Sequence, residues 1–291
     1  MAEESNGADI VIIGKGPAGW SCAITARMRG LRAVVVAPLS DTGWLRRAEK
    51  IDNYPGLPSV PGSALLDSFE QQALALGAEN RVGLVRQILP NDGSFLLLVE
   101  NDVLQARAVV LAMGAARPSL LPGEEELIGR GVSYCATCDG MFYRGKDVAV
   151  LSTSLQGVEE TRFLRDVAKS VTYYQLKPHN TEALPPDVSQ SAEKPTGFRA
   201  AEGGGVELLS KAGARRYDGA FVFRASMPLH LLLDGLRTRD GFIDVDRLMR
   251  TSVPGVFAAG DCTGKPLQVA KAVGEGNIAA ISAVEYLTQN G

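Results

Sequence analysis

The feature that most constrains the fold is a junction close to the N-terminus. Ile10-Val11-Ile12-Ile13 is an unbroken apolar, β-branched run, the pattern of a strand buried on both faces. It leads at once into Gly14-Lys15-Gly16-Pro17-Ala18-Gly19 and a helical pattern from Trp20 to Met28. Gly30 then stops that helix, and Ala33-Val34-Val35-Val36 makes a second strand. A G-x-G-x-x-G turn in this strand–turn–helix context predicts a βαβ unit that binds a dinucleotide. Gly14 permits the tight turn, Gly16 lets the backbone approach a pyrophosphate, and Gly19 lets helix and strand pack closely. The helix N-terminus favours the phosphate charge. The acidic residue expected at the end of the second strand, to hold an adenosine ribose, is missing, because Ala37-Pro38 stands there. That weighs against NAD at this turn more than against FAD, which offers many further contacts.

A second βαβ unit begins at Asp147, with strand Val148–Leu151, a helix from about Gln156 to Lys169, and strand Val171–Tyr174. Between the two units, Ser63 to Leu76 has helical periodicity with Ser63 as a cap. Val82–Leu89 and Phe95–Val99 read as strands around the turn Asn91-Asp92-Gly93. Ala108–Ala112 is a buried strand that runs into Met113-Gly114, and Pro118, Pro122 and Gly123 mark a linker. The polar stretch from Lys177 to Gly205 reads as loops or an exposed hairpin. Ala220–Phe223 is a further strand, Val256–Ala259 runs into Gly260-Asp261, and a helix from about Leu267 to Leu287 follows. A chain of 291 residues is long for one core. The expected fold is α/β, with two Rossmann-like, three-layer domains, the second inserted into the first. Residues 1–118 and 241–291 form the first domain, and residues 119–240 form the insert.

Composition narrows the partners. A net charge of -3 gives no basic excess for nucleic acid. No apolar run approaches the ~18–20 residues that span a bilayer, so no membrane partner is expected. The segment Met1–Gly7 is acidic and polar, unlike a secretory leader, and a cytoplasmic location is the expectation. Four cysteines are too few for a disulfide scaffold in a chain this long. Cys135-Ala136-Thr137-Cys138 therefore reads as redox-active or metal-binding. Zinc needs a second pair, or histidines at fitting spacing, whereas Cys22, Cys262, His179 and His230 are isolated. Redox chemistry is the reading, with no metal. At a helix N-terminus such a pair has a stabilised thiolate, and Asp139 can accept or deliver the proton that thiol exchange requires. Cys22 and Cys262 are expected to be small core residues.

With these pieces on the chain, the sequence resembles the low-molecular-weight thioredoxin reductases over almost its whole length. The matching segments are Gly14–Gly19, Ile51-Asp52-Asn53-Tyr54-Pro55-Gly56, Ala112–Ala115, Cys135–Gly140 and Gly255–Asp261. The resemblance implies FAD in the first domain, held by Gly14, Gly16, Pro17, Ala18, Gly19, Trp44, Leu45, Asn53, Gly114, Gly260, Asp261 and Gln268. Asn53 and Asp261 would lie near the isoalloxazine and ribityl chain. It also implies a homodimer and a second domain that rotates relative to the first. Cys138 would face the flavin, Cys135 would exchange with the protein substrate, and Asp139 would act as acid and base.

Two departures concern NADPH, which that family binds in its second domain. The Gly-rich turn reads Leu151-Ser152-Thr153-Ser154-Leu155-Gln156-Gly157, so Ser152 and Ser154 replace two glycines. A positive φ there costs a non-glycine residue about 1 kcal/mol or more. The family's His-Arg-Arg cluster falls on Gln175-Leu176-Lys177, and its later arginine falls on Thr181. Only Lys177 remains to meet a 2′-phosphate, without arginine's bidentate geometry. Losses at both ends of one ligand imply that NADPH is not used. The remaining pattern is similar to the ferredoxin-dependent flavin thioredoxin reductases, in Thr42-Gly43-Trp44-Leu45, Ala48–Asn53, Gly260–Pro266 and Ala270–Asn277. That branch implies electrons from ferredoxin, through FAD and Cys135–Cys138, to thioredoxin. Arg46, Arg47 and Lys50 are candidates for a basic face that docks an acidic ferredoxin. The alternatives are an NADPH-dependent reductase and a dithiol oxidase that passes electrons to oxygen.

Overall fold

The computed structural model of the protein describes residues 7–39, 45–114, 120–153, 155–224 and 229–290. The chain divides into two compact units, Met1–Arg117 with Pro228–Gly291, and Pro118–Met227.

The first unit opens with β1 (Gly7–Ile13), α1 (Pro17–Met28) and β2 (Ala33–Ala37), as the βαβ reading requires. It continues through α2 (Gly62–Ala75), β3 (Glu79–Val82), β4 (Val85–Asn91), β5 (Ser94–Val99) and β6 (Asp102–Leu111). The sheet runs β3-β2-β1-β6-β5-β4. Strands β1, β2 and β3 are parallel, and β6 runs parallel to β1, while β4, β5 and β6 form an antiparallel meander. Alternation along β1 sorts its side chains to two cores. Ile10 and Ile12 pack with α1 and the C-terminal helix, and Val11 and Ile13 pack with the meander.

The second unit contains β7 (Val132–Ser133), α3 (Ala136–Asp139), β8 (Asp147–Ser152), α4 (Gln156–Val167) and β9 (Ser170–Gln175). It adds β10 (Ser189–Ser191), β11 (Pro195–Ala200), β12 (Val206–Ser210), β13 (Gly213–Tyr217) and β14 (Gly219–Phe223). Its main sheet, β10-β9-β8-β14-β7, is parallel throughout. The chain then returns to the first unit with α5 (Leu229–Leu232), β15 (Thr238–Arg239), β16 (Phe242–Ile243), β17 (Val256–Ala258) and α6 (Val269–Gln289). Strand β17 pairs in parallel with the far end of β6. Both units are thus α/β and Rossmann-like, as expected from the two βαβ patterns.

Four local readings differ. The run Val82–Leu89 is two strands, because Gly83 takes φ +159 against the Val99 side chain and breaks it. Ser63 lies inside α2 rather than capping it; Pro61 holds the cap position, and no side chain bonds there. Part of the stretch from Lys177 to Gly205 builds β10 and β11, the latter paired in a three-stranded antiparallel sheet with β12 and β13. The division also falls at residues 227/228 rather than 240/241. The reason is Leu232 and Leu233, each 1% exposed, which pack with Val85 and Ile88 of the first unit. Among the described residues, no helix is long and apolar enough to cross a membrane.

Candidate functional site

In the first unit, three segments close on one small loop. Gly14 has φ +116, and a Cβ there would run into the carbonyl of Ala112 at the end of β6. A Cβ on Gly19 would meet the Gly14 carbonyl. Gly260, at φ +87 after β17, would place a Cβ 2.8 Å from Ala18 Cβ, and Gly276 of α6 lies against the Ala18 carbonyl. Each contact needs hydrogen where any other residue has carbon. Gly16 is different, since nothing lies within 4 Å of the Cβ it lacks. The helix behind it starts at Pro17 with no side-chain cap and no acid in its first turn. Its first N–H groups are therefore open to an anionic ligand. This cradle fits the pyrophosphate of a dinucleotide such as FAD.

The other expected cofactor residues lie in the same unit. Asn53 Nδ2 donates to Gln268 Oε1 at 2.7 Å, which joins positions 215 residues apart in the chain. Gly114, at φ +74, extends β6 with open space at its Cβ position. Leu45 starts a short 3-10 turn, and its carbonyl abuts Gly62 at the head of α2. Asp261 follows Gly260; burial pushes its carboxyl up, Lys271 pulls it down, and Glu275 pushes it up. Trp44 lies outside the described residues. Where an acid is missing after β2, Lys15 Nζ instead reaches the Leu39 carbonyl at 3.4 Å, placing a cation beside the loop.

In the second unit, Cys135 and Cys138 form a disulfide with their Cα atoms 5.3 Å apart. The expected helix behind them is only α3, of four residues, so little macrodipole is available. What remains is local: Cys135 is the N-cap residue, and the Cys138 N–H donates to its Sγ at 3.1 Å. Cys138 is exposed and Cys135 half-buried. Asp139 accepts a hydrogen bond from Ser133 Oγ at 2.7 Å, and the Cys135 N–H donates to the same hydroxyl oxygen at 3.1 Å. Ser133 is buried at the end of β7 and ties the acid to the disulfide. Sequence reasoning missed it, because a lone serine before the first cysteine carries no motif. Burial, and then the Asp139 carboxylate, push the Tyr143 hydroxyl up. Met141 and Phe142 stand exposed just after the pair.

The second βαβ turn, where NADPH binding is not expected, is filled by a serine side chain. Ser152 is fully buried and is the last residue of β8, paired with Gln175 of β9. It is not among the residues with positive φ, so the strain expected from that conformation is absent there. Its side chain occupies the turn instead: a Cβ on Gly157 would strike Ser152 Cβ and Oγ. The Ser152 hydroxyl bonds Tyr173, whose own hydroxyl lies 2.7 Å from His179 Nε2. His179 Nδ1 in turn lies 2.6 Å from the Lys177 carbonyl. Glu159 sits in the first turn of α4, where it opposes a phosphate. Lys177 is exposed, and Ser154 lies outside the described residues.

The basic face is weaker than expected. Arg46 pairs with Asp67 at 2.8 Å, and Lys50 pairs with Asp52 at 2.9 Å. Arg47 is exposed. Cys22 and Cys262 are buried core residues. Burial pushes the Cys22 thiol up, and Cys262, pushed up to about 12 by burial, donates to the Leu111 and Ala259 carbonyls. Among the described residues, no group of His, Cys, Asp and Glu side chains could hold a metal.

Comparison with known proteins agrees with this arrangement. The family described as pyridine nucleotide-disulphide oxidoreductase matches residues 8–276. A thioredoxin reductase from Bacillus subtilis (strain 168) is 31% identical, over 97% of this chain and 95% of its own. Among solved structures, a ferredoxin-flavin thioredoxin reductase from Clostridium acetobutylicum is 36% identical with a TM-score of 0.89, covering 97% of this chain and 99% of that one. A thioredoxin reductase from Gloeobacter violaceus is 33% identical with a TM-score of 0.79, covering 98% and 95%.

Proposed function

Because the chain belongs to the pyridine nucleotide-disulphide oxidoreductases, as a flavoprotein disulfide oxidoreductase of the thioredoxin reductase type, we propose that its electron donor is reduced ferredoxin and its acceptor thioredoxin. The observation that carries the donor is the Ser152 turn. Where a pyrophosphate would need open backbone, a buried serine side chain stands, bonded into Tyr173 and His179. Glu159 and the lone Lys177 make the same site unfavourable at both ends of NADPH. The likeness to the Clostridium acetobutylicum ferredoxin-flavin enzyme supports the reading.

FAD supplies a carrier that takes electrons singly and gives them up as a pair. Gly14, Gly16, Pro17, Ala18 and Gly19 form its pyrophosphate cradle. Leu45, Trp44, Asn53, Gln268, Gly114, Gly260 and Asp261 form the rest of its site. Reduction of the Cys135–Cys138 bond leaves two thiols, with Cys138 the one that meets the flavin. The Cys138 N–H then favours a thiolate at Cys135, since a charge-assisted hydrogen bond is stronger than a neutral one. Cys135 attacks the thioredoxin disulfide and forms a mixed disulfide. Cys138 displaces the reduced thioredoxin and restores the intramolecular bond. Asp139, oriented by Ser133, moves the accompanying proton. Exposed Met141 and Phe142 offer the apolar contact for the protein substrate. The working molecule is a cytoplasmic homodimer in this reading, and Arg47 is what remains of a basic contact for ferredoxin.

The test is anaerobic mixing with NADPH, NADH and reduced ferredoxin, side by side. Flavin absorbance should bleach with ferredoxin alone, and thioredoxin thiols should then appear, except in Cys138→Ser. Bleaching by one equivalent of NADPH would remove the donor assignment and leave an ordinary NADPH-dependent reductase.

A further inference from the structure

Lys271 stands where helix energetics disfavour it. It lies in the first turn of α6, a 21-residue helix whose N-terminal N–H groups already carry positive charge. Its partner Glu275 is four residues C-terminal, the less favourable order for such a pair. Both side chains are only 17% exposed, and burial raises the cost of each charge. Local rules broken in this way point to a role outside the helix.

The bonds show what that role is. Lys271 Nζ donates to the carbonyls of Gly260 and Gly264, each at 2.8 Å, and to Thr263 Oγ1 at 2.9 Å. Glu275 Oε2 lies 3.1 Å from the same ammonium and accepts from the Gly260 N–H at 2.8 Å. It also lies 2.9 Å from Thr263 Oγ1. The two side chains therefore tie together both ends of the turn 260–264, the segment that presents Asp261. Gly260 is in turn pressed against Ala18 of the dinucleotide loop. Apart from the i,i+4 pair between the two side chains, these contacts all leave α6 for the turn.

We propose that Lys271, with Glu275 as its counter-charge, is a positioning residue for the flavin: it holds the turn 260–264 in its binding form and sets the charge of the site that must accept electrons. The inference rests on the flavin reading of this cradle. Wild-type, Lys271→Met, Lys271→Arg and Glu275→Gln are prepared as apoproteins and titrated with FAD, and the flavin midpoint potential of each reconstituted protein is measured. Lys271→Met should weaken FAD by about tenfold or more, the scale of one hydrogen bond to a charged group. Its potential should move to more negative values, because Glu275 is left uncompensated. Glu275→Gln should move the potential the other way, and Lys271→Arg should keep it near wild type. Opposite signs from two changes in one ion pair are not produced by general loosening of the fold. Wild-type FAD affinity and potential in Lys271→Met would overturn the proposal. If that variant does not fold, an unchanged potential in Glu275→Gln overturns it equally. A wild-type apoprotein that takes up no FAD would refute the flavin reading itself, a different and recognisable result.

Discussion

At the first βαβ junction Gly14 sits at φ +116 under the Ala112 carbonyl, and Gly19 sits against Gly14. At the second, Ser152 continues its strand, and its side chain fills the space beside Gly157. The strands and helices around the two turns follow the same order, yet nothing lies within 4 Å of the Cβ that Gly16 lacks, whereas the corresponding space at Gly157 is taken by Ser152. Helix α1 has no acid in its first turn, and α4 has Glu159 there. The comparison teaches that a nucleotide fold is kept by packing and a nucleotide site by what is absent from it. In the proposed reading, one buried hydroxyl closes the second turn to a pyrophosphate while the sheet behind it stays intact.

The largest expected break in that contrast is Gly19→Ala. Its Cβ would strike a backbone carbonyl that cannot swing away, so we expect about 3 kcal/mol of destabilisation. The protein should purify without flavin, as read by the visible spectrum and by thermal unfolding. Next is Ser133→Ala in the second unit, which removes the donor to Asp139 and should slow thioredoxin reduction about tenfold. Flavin content should be unchanged, and rates measured by thiol release check both points. The counterpart of the first change, Gly157→Ala, meets a serine side chain instead of backbone. Ser152 Cβ is rooted in a buried strand and cannot rotate away, so the change should cost about 2 kcal/mol, and much less in combination with Ser152→Gly. If Ser152→Gly fails to relieve Gly157→Ala, the serine side chain is not what fills the second turn.

The smallest effect sets Asp147 against Asp261. Hydrogen bonds from Ser170 and then Lys169 hold the Asp147 carboxyl low, so its contribution is complete above the ordinary carboxylate value. It is lost as pH falls from there through the depressed folded value. Asp261 is displaced upward, chiefly by burial, so its ionised form costs stability as pH rises through its folded value. Asp147→Asn should therefore lower the urea midpoint at neutral pH but not in strong acid. Asp261→Asn should raise the apoprotein midpoint at neutral pH and leave it unchanged in strong acid.

The elements legible in the sequence were those with local signatures. The run from Ile10 to Val36 names its own strand, turn, helix and strand, and the Cys135–Cys138 spacing names its own bond. Elements whose identity depends on a distant partner were not legible. The outer half of β6, from Asp102, alternates, but its inward residues after Leu104 are alanines with little strand preference, and its pairing with both β5 and β1 is what makes it a strand. Leu232 and Leu233 are too few to show a period, and only their packing assigns them to the first unit. The contact of Asn53 with Gln268 and the knot at Lys271 join residues that share no spacing rule. The Ser152 substitution was visible in the sequence, but its physical effect was not: the residue acts by filling space, without a strained φ.

Strand β17 lies beside β6, and α6 packs on α1, so the first unit is built from the two ends of the chain. On the ribosome this reverses the usual order. The insert, residues 118–227, is continuous and can close as soon as β14 has emerged, before its host domain is complete. The glycine loop is made before the insert, whereas its walls at Gly260 and Gly276 are made after it. A nascent chain of this protein should therefore hold a folded disulfide-bearing unit while its N-terminal strands still wait for the final helix.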